Sequence, residues 1–402
     1  MRFVDCLVIG AGPSGSVVSA LLNKAGIDVL VVEKEKFPRF VIGESLLPNC
    51  MNILREAGFL DAVESYGFQY KNGAAFSFRD DYRYFDFCDK SSSGDGTTFQ
   101  VQRGIFDEIL INEAIKQGVE VIFEVAAEDF TFLDDFVNVR LSNGVQVQAK
   151  YIIDASGYGR VLPRKLNLET PSHLSPKKAY FTHIEDNISE PLYDRKKILI
   201  TTHPDFRDIW FWLIPFSNGR CSIGVVGEDS RININASDEE TLKHHVYLAP
   251  MLKRLLGNAK WDTQIRTISS YSKDVKQLYG DKFILLGNAS EFLDPVFSSG
   301  VTIAMVSAKL ASDCLIKIFN NQNVDMKKEY EEPLMFGINT FRTYVEGWYN
   351  GKFQDVIYTK IENHHIKRQI CSILAGYAWD KTNPYAARSN EALDVLAKFC
   401  KK

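Results

Sequence analysis

A polar turn between an apolar strand and an apolar helix is the chain's clearest place for anion chemistry. Phe283 to Leu286 reads as a short buried strand, and Val301 to about Phe319 carries a helical apolar repeat. Between them runs Gly287-Asn288-Ala289-Ser290-Glu291-Phe292-Leu293-Asp294-Pro295-Val296-Phe297-Ser298-Ser299-Gly300. A helix start presents unpaired N–H groups and the positive end of its dipole, so the turn and the helix start together make a cradle for a small anion. A second such place lies near the N-terminus, where Gly10-Ala11-Gly12-Pro13-Ser14-Gly15 is GxGxxG. Gly10 permits the tight turn, Gly12 lets backbone approach a pyrophosphate, and Gly15 lets helix and strand pack closely. Glu33, at the end of the following strand, accepts hydrogen bonds from a ribose diol and repels a 2′-phosphate, which argues against NADP. The fingerprint does not by itself separate FAD from NAD.

Three further features are ambiguous when taken alone. Glu44 and Ser45 lie in Phe37-Pro38-Arg39-Phe40-Val41-Ile42-Gly43-Glu44-Ser45-Leu46-Leu47-Pro48, between a glycine and a proline-bounded turn. Their plain reading is a loop before a helix. Lys71 is by default a solvated lysine. In Ile209-Trp210-Phe211-Trp212-Leu213-Ile214-Pro215, a period of two puts Trp210, Trp212 and Ile214 on one face. That face reads as the wall of an aromatic cavity or as ordinary core, and periodicity favours core.

The elements that must position these residues follow from the chain in order. Phe3 to Ile9, the helix Ser16 to Lys24 and the strand Asp28 to Val32 form a βαβ unit, which is what gives the glycine motif its meaning. A helix opens near Phe106-Asp107, just after Arg103, and runs to Lys116. A strand meander with an Asn143-Gly144 turn follows, then a buried strand ends in Asp154-Ala155-Ser156-Gly157. Ala179 to Ile184, Lys197 to Thr202, Ile209 to Pro215 and Ser222 to Val226 read as one antiparallel sheet, and Asp238 to Leu256 as a helix behind Ser237. The tail from Glu329 is helical and aromatic; a packing subdomain and a substrate-side lid fit it equally.

The expected fold class is α/β: a Rossmann-like nucleotide domain (1–75, 100–170 and 271–325), an inserted α+β domain with an antiparallel sheet on the substrate side (76–99 and 171–270), and a helical C-terminal segment (326–402). Composition bounds the function. A net charge of −4 over 402 residues gives no support for nucleic-acid binding. The seven cysteines include no CxxC pair and fit neither a zinc site nor a disulfide framework, so reduced thiols in a cytoplasm and no metal are expected. The N-terminus does not read as a signal peptide, and no apolar run is long enough to span a bilayer.

Taken together, several stretches resemble the flavin-dependent halogenases, a branch of the flavoprotein monooxygenase fold. The glycine motif with Glu33, Arg103 with Asp107, and Asp154 to Gly157 are shared with the wider class. More specific are Pro38-Arg39 with Ile42 to Pro48, and Asp294-Pro295 with Ser298-Ser299-Gly300. Most specific is Trp210-x-Trp212-x-Ile214-Pro215, which is similar to the WxWxIP signature. Lys71, in a Phe-x-x-Lys-x-Gly-Ala-x-Phe setting, falls where phenol- and pyrrole-type members carry a catalytic lysine.

The resemblance implies FAD as cofactor, held by Gly10, Gly12, Pro13, Ser14, Gly15, Glu33, Lys34, Arg39, Glu44, Ser45, Arg103, Asp154, Gly157, Gly287, Asn288, Pro295, Gly300 and Val301. It implies that reduced FAD meets oxygen to give a flavin hydroperoxide, which a halide ion bound by Ser299 and Gly300 converts to hypohalous acid. Lys71 would then deliver the oxidant to an electron-rich aromatic, a phenol or pyrrole, free or attached to a carrier protein. Trp210 and Trp212 would keep that substrate off the flavin. No second nucleotide fingerprint follows Glu33, so a separate flavin reductase is the expected electron source. Relatives usually carry aspartate where this chain has Asn288, so weaker FAD retention is expected. Two other functions stay open: a monooxygenase or reductase of this fold that does not halogenate, and a catalytically silent flavin-binding protein.

Overall fold

The structure is a computed structural model that describes every residue except Met1, His173, Leu192, Ser270, Tyr271, Phe292, Glu362 and Lys402. Phe292, part of the polar stretch singled out above, therefore lies outside the described residues.

Apolar runs without alternation form the centre of the first sheet. Arg2–Ile9, Val29–Glu33, Glu120–Phe123, Gln146–Asp154 and Phe283–Leu285 are joined in parallel, with Val137–Leu141 and Ala127–Phe132 added antiparallel at one side. Val29–Glu33 is buried at every position, as a parallel strand covered on both faces must be. Register decides what this sheet does. Ile9 is level with both Val32 and Asp154, and Asp154 with Leu285. The carboxyl ends of these strands therefore stop at one edge, and the turns after them are gathered there, where open α/β sheets bind ligands.

The first turn is tight for a steric reason. Gly10 has φ +99°, and a Cβ on it would sit 2.7 Å from the Ala155 carbonyl oxygen. Gly15 lies in the helix Pro13–Lys24, where a Cβ would come within 1.9 Å of the Gly10 carbonyl oxygen. The helix can pack back on the sheet only because both positions lack a side chain.

The second sheet has seven strands in the order Arg266–Ser269, Lys178–Glu185, Arg220–Gly227, Trp210–Pro215, Lys197–Thr202, Gly73–Phe78 and Asp81–Asp86. The four strands read as one antiparallel sheet are neighbours in it. The sheet goes further than that reading, since Gly73–Phe78 joins Lys197–Thr202 in parallel and brings Asp81–Asp86 with it. Alternation sorts its two faces. Trp210, Trp212 and Ile214 point with Ala179, Phe181 and Ile198 into the large core shared with the first sheet's helices. Phe211, Leu213, Ile223 and Val225 point the other way, onto Leu242, Val246 and Leu252. Gly224 stands opposite Trp212, and a Cβ there would meet the indole at 2.4 Å, so the glycine makes room for the ring.

Two helix boundaries differ from the pattern. The stretch Asp238 to Leu256 is split into Asp238–Leu248 and Pro250–Leu255, because Pro250 cannot donate to the preceding turn. Ser237 caps it as expected, in a reciprocal capping box with Glu240. Arg103 opens its helix rather than preceding it, since Arg103–Lys116 is continuous. The tail contributes Glu332–Tyr349, Lys352–Ile357, His364–Leu374, Pro384–Ala387 and Ser389–Cys400, with Trp348 and Tyr344 buried in the large core.

Gly15→Ala is expected to lower stability by at least about 1–3 kcal/mol, because the added methyl meets backbone oxygen that has nowhere to go. The thermal midpoint of the protein without added FAD measures this. A midpoint equal to that of the wild type would show that turn and helix are not packed this closely.

Candidate active site

A cavity of about 480 Å³ opens at the carboxyl edge of the first sheet and runs to the tryptophan face of the second. At one end it is lined by Gly10, Gly12, Pro13, Ser14, Glu33 and Lys34, at the other by Phe181, Ile198, Trp210, Trp212 and Ile214. Arg39, Glu44, Ser45, Arg103, Gly157, Asn288, Pro295, Gly300 and Val301 line the span between. Five expected residues are buried and do not line the wall: Gly15, Lys71, Asp154, Gly287 and Ser299. Gly15 packs helix on turn, as above. Asp154 is wholly buried and holds its own turn, accepting from the Ser156 and Leu162 N–H groups at 2.9 and 2.7 Å. Gly287, at φ +51°, donates its N–H to Ser307 Oγ at 3.0 Å.

The nucleotide end fits a dinucleotide by its charges and by its gaps. Glu33 Oε2 accepts from the Ala11 N–H at 2.9 Å and Oε1 from the Glu35 N–H at 3.0 Å. The carboxylate is thereby aimed along the cavity, and each oxygen keeps a lone pair for a ribose hydroxyl. Two guanidinium groups are held by one buried acid. Arg103 grips Asp107 through Nε and Nη2 at 2.8 and 3.0 Å, and Arg39 Nη1 reaches the same carboxylate at 3.0 Å. A Cβ on Gly12 would stand 3.4 Å from the Arg39 guanidinium, so the missing side chain leaves the space between turn and guanidinium open. Asp107 was noted in the sequence only as the partner of Arg103. The i,i+4 spacing signals its pairing with Arg103, while its contact with Arg39, 68 residues away, leaves no local pattern.

The stretch from Gly287 onward is shaped by a hydrogen bond to its own Asp294 and by a left-handed residue that is not glycine. Asp294 caps the turn Pro295–Phe297 by accepting from the Val296 N–H at 3.1 Å. Ser298 then adopts φ +58°, costly for a non-glycine residue, and turns the chain into the helix Gly300–Phe319. Ser298, Gly300 and Val301 face the cavity at that helix start. Asn288 also faces it, while its carbonyl oxygen accepts from Arg160 Nη1 at 2.7 Å. Burial and the neighbouring Asp274 push Glu291 up to about 8, although Arg342 lies 3.0 Å away.

The tryptophan wall is tied to this turn. Trp210 Nε1 donates to the Tyr349 hydroxyl at 2.9 Å, and that hydroxyl lies 2.7 Å from Asp294 Oδ2. Trp212 Nε1 donates to Ser222 Oγ at 3.0 Å, and the two indoles lie 5.9 Å apart. Nothing in the sequence pattern pointed to Tyr349 or Phe181 as site residues. Phe181 was findable in principle, two positions from Ala179 on the same cavity face.

Lys71 is wholly buried. Its Nζ lies 2.7 Å from Ser45 Oγ and 2.7 Å from the Leu46 carbonyl oxygen, with the Phe87 ring centre at 5.4 Å. Burial brings its amine down from 10.5 to about 7. Glu44, on the cavity side of the same loop, meets His183 Nε2 at 2.6 Å.

Comparison with known proteins agrees with this geometry. The FAD binding domain family model matches residues 3–332, which places the glycine turn and both sheets in an FAD-binding protein. A chlorinase of Pseudomonas fluorescens that acts on 1H-pyrrole-2-carbonyl peptidyl-carrier protein is 28% identical, over 98% of this chain and 92% of its own length. A flavin-dependent halogenase of Armillaria mellea is 31% identical over 77% of this chain and 67% of its own length. The crystal structure of a flavoprotein/dehydrogenase from Cytophaga hutchinsonii superposes with a TM-score of 0.95 at 43% identity, covering 100% of this chain and 99% of that one. The chain belongs to the flavin-dependent halogenase family, whose members are FAD-dependent oxidoreductases. Its cofactor is FAD. Among the described residues no helix is long and apolar enough to cross a membrane.

The buried amine has a consequence for stability. The folded protein releases the Lys71 proton near pH 7, the unfolded chain near 10.5. Between those values the unfolded state holds more protons, so stability climbs as pH rises, and the full cost of burying the ammonium is present below about pH 7. Lys71→Met is therefore expected to gain more over wild type at about pH 6 than at about pH 9, by up to about 1.4 kcal/mol per pH unit between the two midpoints. Urea midpoints at the two pH values measure it; an equal offset at both would show that the amine is not desolvated.

Proposed function

We propose that the protein halogenates an electron-rich aromatic, a phenol or pyrrole, free or attached to a carrier protein, using FAD, oxygen and a halide ion. The observation that carries this reading is the continuity of one cavity, from the glycine turn and Glu33, past the helix start at Gly300, to the face of Trp210, Trp212 and Ile214. Such a cavity admits a cofactor, an anion and an aromatic guest along one path. A separate flavin reductase supplies electrons, and the reducing cytoplasm is the proposed setting, in keeping with seven unpaired cysteines.

In this reading Glu33, with Gly10, Gly12, Pro13 and Ser14, holds the nucleotide half of FAD, and Lys34, Arg39 and Arg103 neutralise its phosphates. Glu44, Ser45, Gly157, Asn288, Pro295 and Val301 border its other half, while Gly15, Asp154 and Gly287 shape the turns behind. Bound and reduced, FAD supplies from dioxygen the oxidising equivalents that convert halide to hypohalous acid. The cavity-facing N–H of Gly300 holds the halide at the positive end of the Gly300–Phe319 helix, and Ser299, buried next to it and outside the cavity lining, shapes that turn. Trp210 and Trp212 exclude water from the aromatic guest and separate it from the cofactor. Lys71 supplies the polarising charge that directs the oxidant onto the guest.

A second reading, a flavin dehydrogenase or monooxygenase without halogenation, is favoured by the name of the Cytophaga hutchinsonii neighbour. The two are separated by supplying the purified protein with FAD, a flavin reductase, NADH, oxygen and bromide, together with phenols, pyrroles and carrier-bound pyrrole. Mass spectrometry is expected to find the bromine isotope doublet with wild type and to lose it with Lys71→Ala, while FAD still binds. Hydroxylated or dehydrogenated product without bromine would establish the second reading instead. A protein that binds FAD but turns over none of these would be a silent flavin binder.

Asn288→Asp is expected to tighten FAD roughly five- to tenfold by replacing a neutral acceptor with a charged one, a difference of about 1 kcal/mol. Fluorescence titration of FAD into the cofactor-free protein measures this. Equal or weaker binding would remove Asn288 from the cofactor contacts.

A further inference from the structure

The lysine expected to do the chemistry does not reach the place where the chemistry happens. Lys71 is wholly buried and absent from the cavity lining. A hydroxyl stands between them. Ser45 lines the cavity on one side and meets Lys71 Nζ at 2.7 Å on the other. Its backbone is pinned by a bridge to Gln100, and the next residue donates its N–H to the Phe99 carbonyl oxygen at 3.1 Å. The serine is therefore a fixed part of the wall.

We propose that Ser45 is the group that touches the halogenating species, and that Lys71 is a positioning residue that acts only through the Ser45 hydroxyl. This rests on the halogenase reading of the same site and changes the role of Ser45 within it, from cofactor contact to a contact on the reacting atoms.

Hydrogen-bond logic sets the direction. An ammonium has three donors and no acceptor, so a protonated Lys71 must donate to Ser45 Oγ and to the Leu46 carbonyl oxygen. The Ser45 proton is then free to be aimed into the cavity. When Lys71 is a neutral amine, its lone pair accepts the Ser45 proton and the hydroxyl turns its back on the cavity. The other groups facing Lys71 leave it in control of this choice. Cys50 keeps its thiol proton, because burial raises it, and bonds with Thr302 Oγ1 at 3.1 Å. Glu44 is engaged by His183, and Phe87 presents only its ring. Burial places the Lys71 amine at about 7, so both states are accessible near neutral pH.

The step balances without any further reagent. Hypohalous acid, formed by the proposed halide oxidation, gives its halogen to an aromatic carbon. The oxygen–halogen bond breaks with its electron pair left on oxygen, and the carbon–halogen bond forms from the ring's π electrons. The ring then loses a proton, which joins the departing hydroxide as water. Ser45 donates a hydrogen bond to that oxygen as charge builds on it and keeps its own proton.

The test compares Ser45→Ala, Ser45→Thr and wild type in the bromide assay, with monochlorodimedone in solution as a scavenger of escaped hypobromous acid. For Ser45→Ala the ratio of brominated scavenger to brominated aromatic is expected to rise about 100-fold or more, and Ser45→Thr, which restores the hydroxyl, should bring it back to within about tenfold. Aromatic bromination by wild type should fall as pH rises through the Lys71 midpoint. That midpoint is read separately in the cofactor-free protein by nitrogen-15 NMR of labelled lysine, and Ser45→Ala should shift it. A ratio unchanged in Ser45→Ala, or equal ratios for the Ala and Thr variants, would overturn the proposal. If wild type brominates neither aromatic nor scavenger, the halogenase reading fails, and a Lys71 midpoint unmoved by Ser45→Ala would overturn the Lys71–Ser45 coupling as well.

Discussion

An indole N–H can only donate a hydrogen bond, and the Tyr349 hydroxyl accepts from the Trp210 indole while donating to the Asp294 carboxyl group. Trp210, Tyr349 and Asp294 therefore form a chain of one direction, at 2.9 and 2.7 Å. Its ends belong to different parts of the molecule. Trp210 is on the second sheet, Asp294 caps the turn that leads to the cavity's helix start, and Tyr349 ends the tail helix Glu332–Tyr349. Both Trp210 and Asp294 are nearly inaccessible to water. Breaking the chain at Tyr349 would take the buried Trp210 N–H from its acceptor, at about 1–3 kcal/mol. The distance between the aromatic wall and the turn at Ser298 is thus held by a network that penalises any sliding of one against the other. The tail, whose role was open between packing and lid, contributes to the site through this contact.

The nucleotide end solves the opposite problem. It must hold positive charge ready for an anion without letting the cations collapse onto each other or into solvent. Asp107, fully buried, binds Arg103 with two hydrogen bonds and Arg39 with one. One negative charge between two positive ones leaves a net positive site, and the planar guanidinium groups are fixed by paired contacts rather than by packing alone. The same economy of position governs Glu33, whose oxygens accept from the backbone before any ligand arrives.

What could be read from the sequence was what depends on neighbours in the chain. The GxGxxG turn, Glu33, the N-cap at Ser237, and the alternation that puts Trp210, Trp212 and Ile214 on one face are all local patterns, and each is present in the structure. Contacts across long separations left no local trace. Tyr349 lies 139 residues from Trp210, and its role is invisible in a run of helical aromatics. The parallel pairing of Gly73–Phe78 with Lys197–Thr202 was hidden for the same reason, since alternation identifies a strand but not its partner. Lys71 shows both limits. As a lone lysine it looked solvated, and only the resemblance raised it; its burial follows from the fold, and its place behind Ser45 follows from neither pattern nor resemblance.

That placement makes chemical sense of two conflicting demands. A positive charge close to hypohalous acid strengthens the electrophile, yet an amine in open contact with it is itself a nucleophile and a target. Distance would protect the amine but weaken its field, whereas a low-dielectric wall keeps the field strong over a short gap. Lys71 sits in such a wall, with the Ser45 hydroxyl between its Nζ and the cavity. A hydroxyl passes on polarisation and is far less readily halogenated than an amine. The tryptophan face needs no such shield from the amine, because its nitrogen atoms are engaged by Tyr349 and Ser222 and hold the rings in place. Reactivity is thus confined by which polar atoms face the cavity, and the fold decides that by burying the strongest of them one hydrogen bond away.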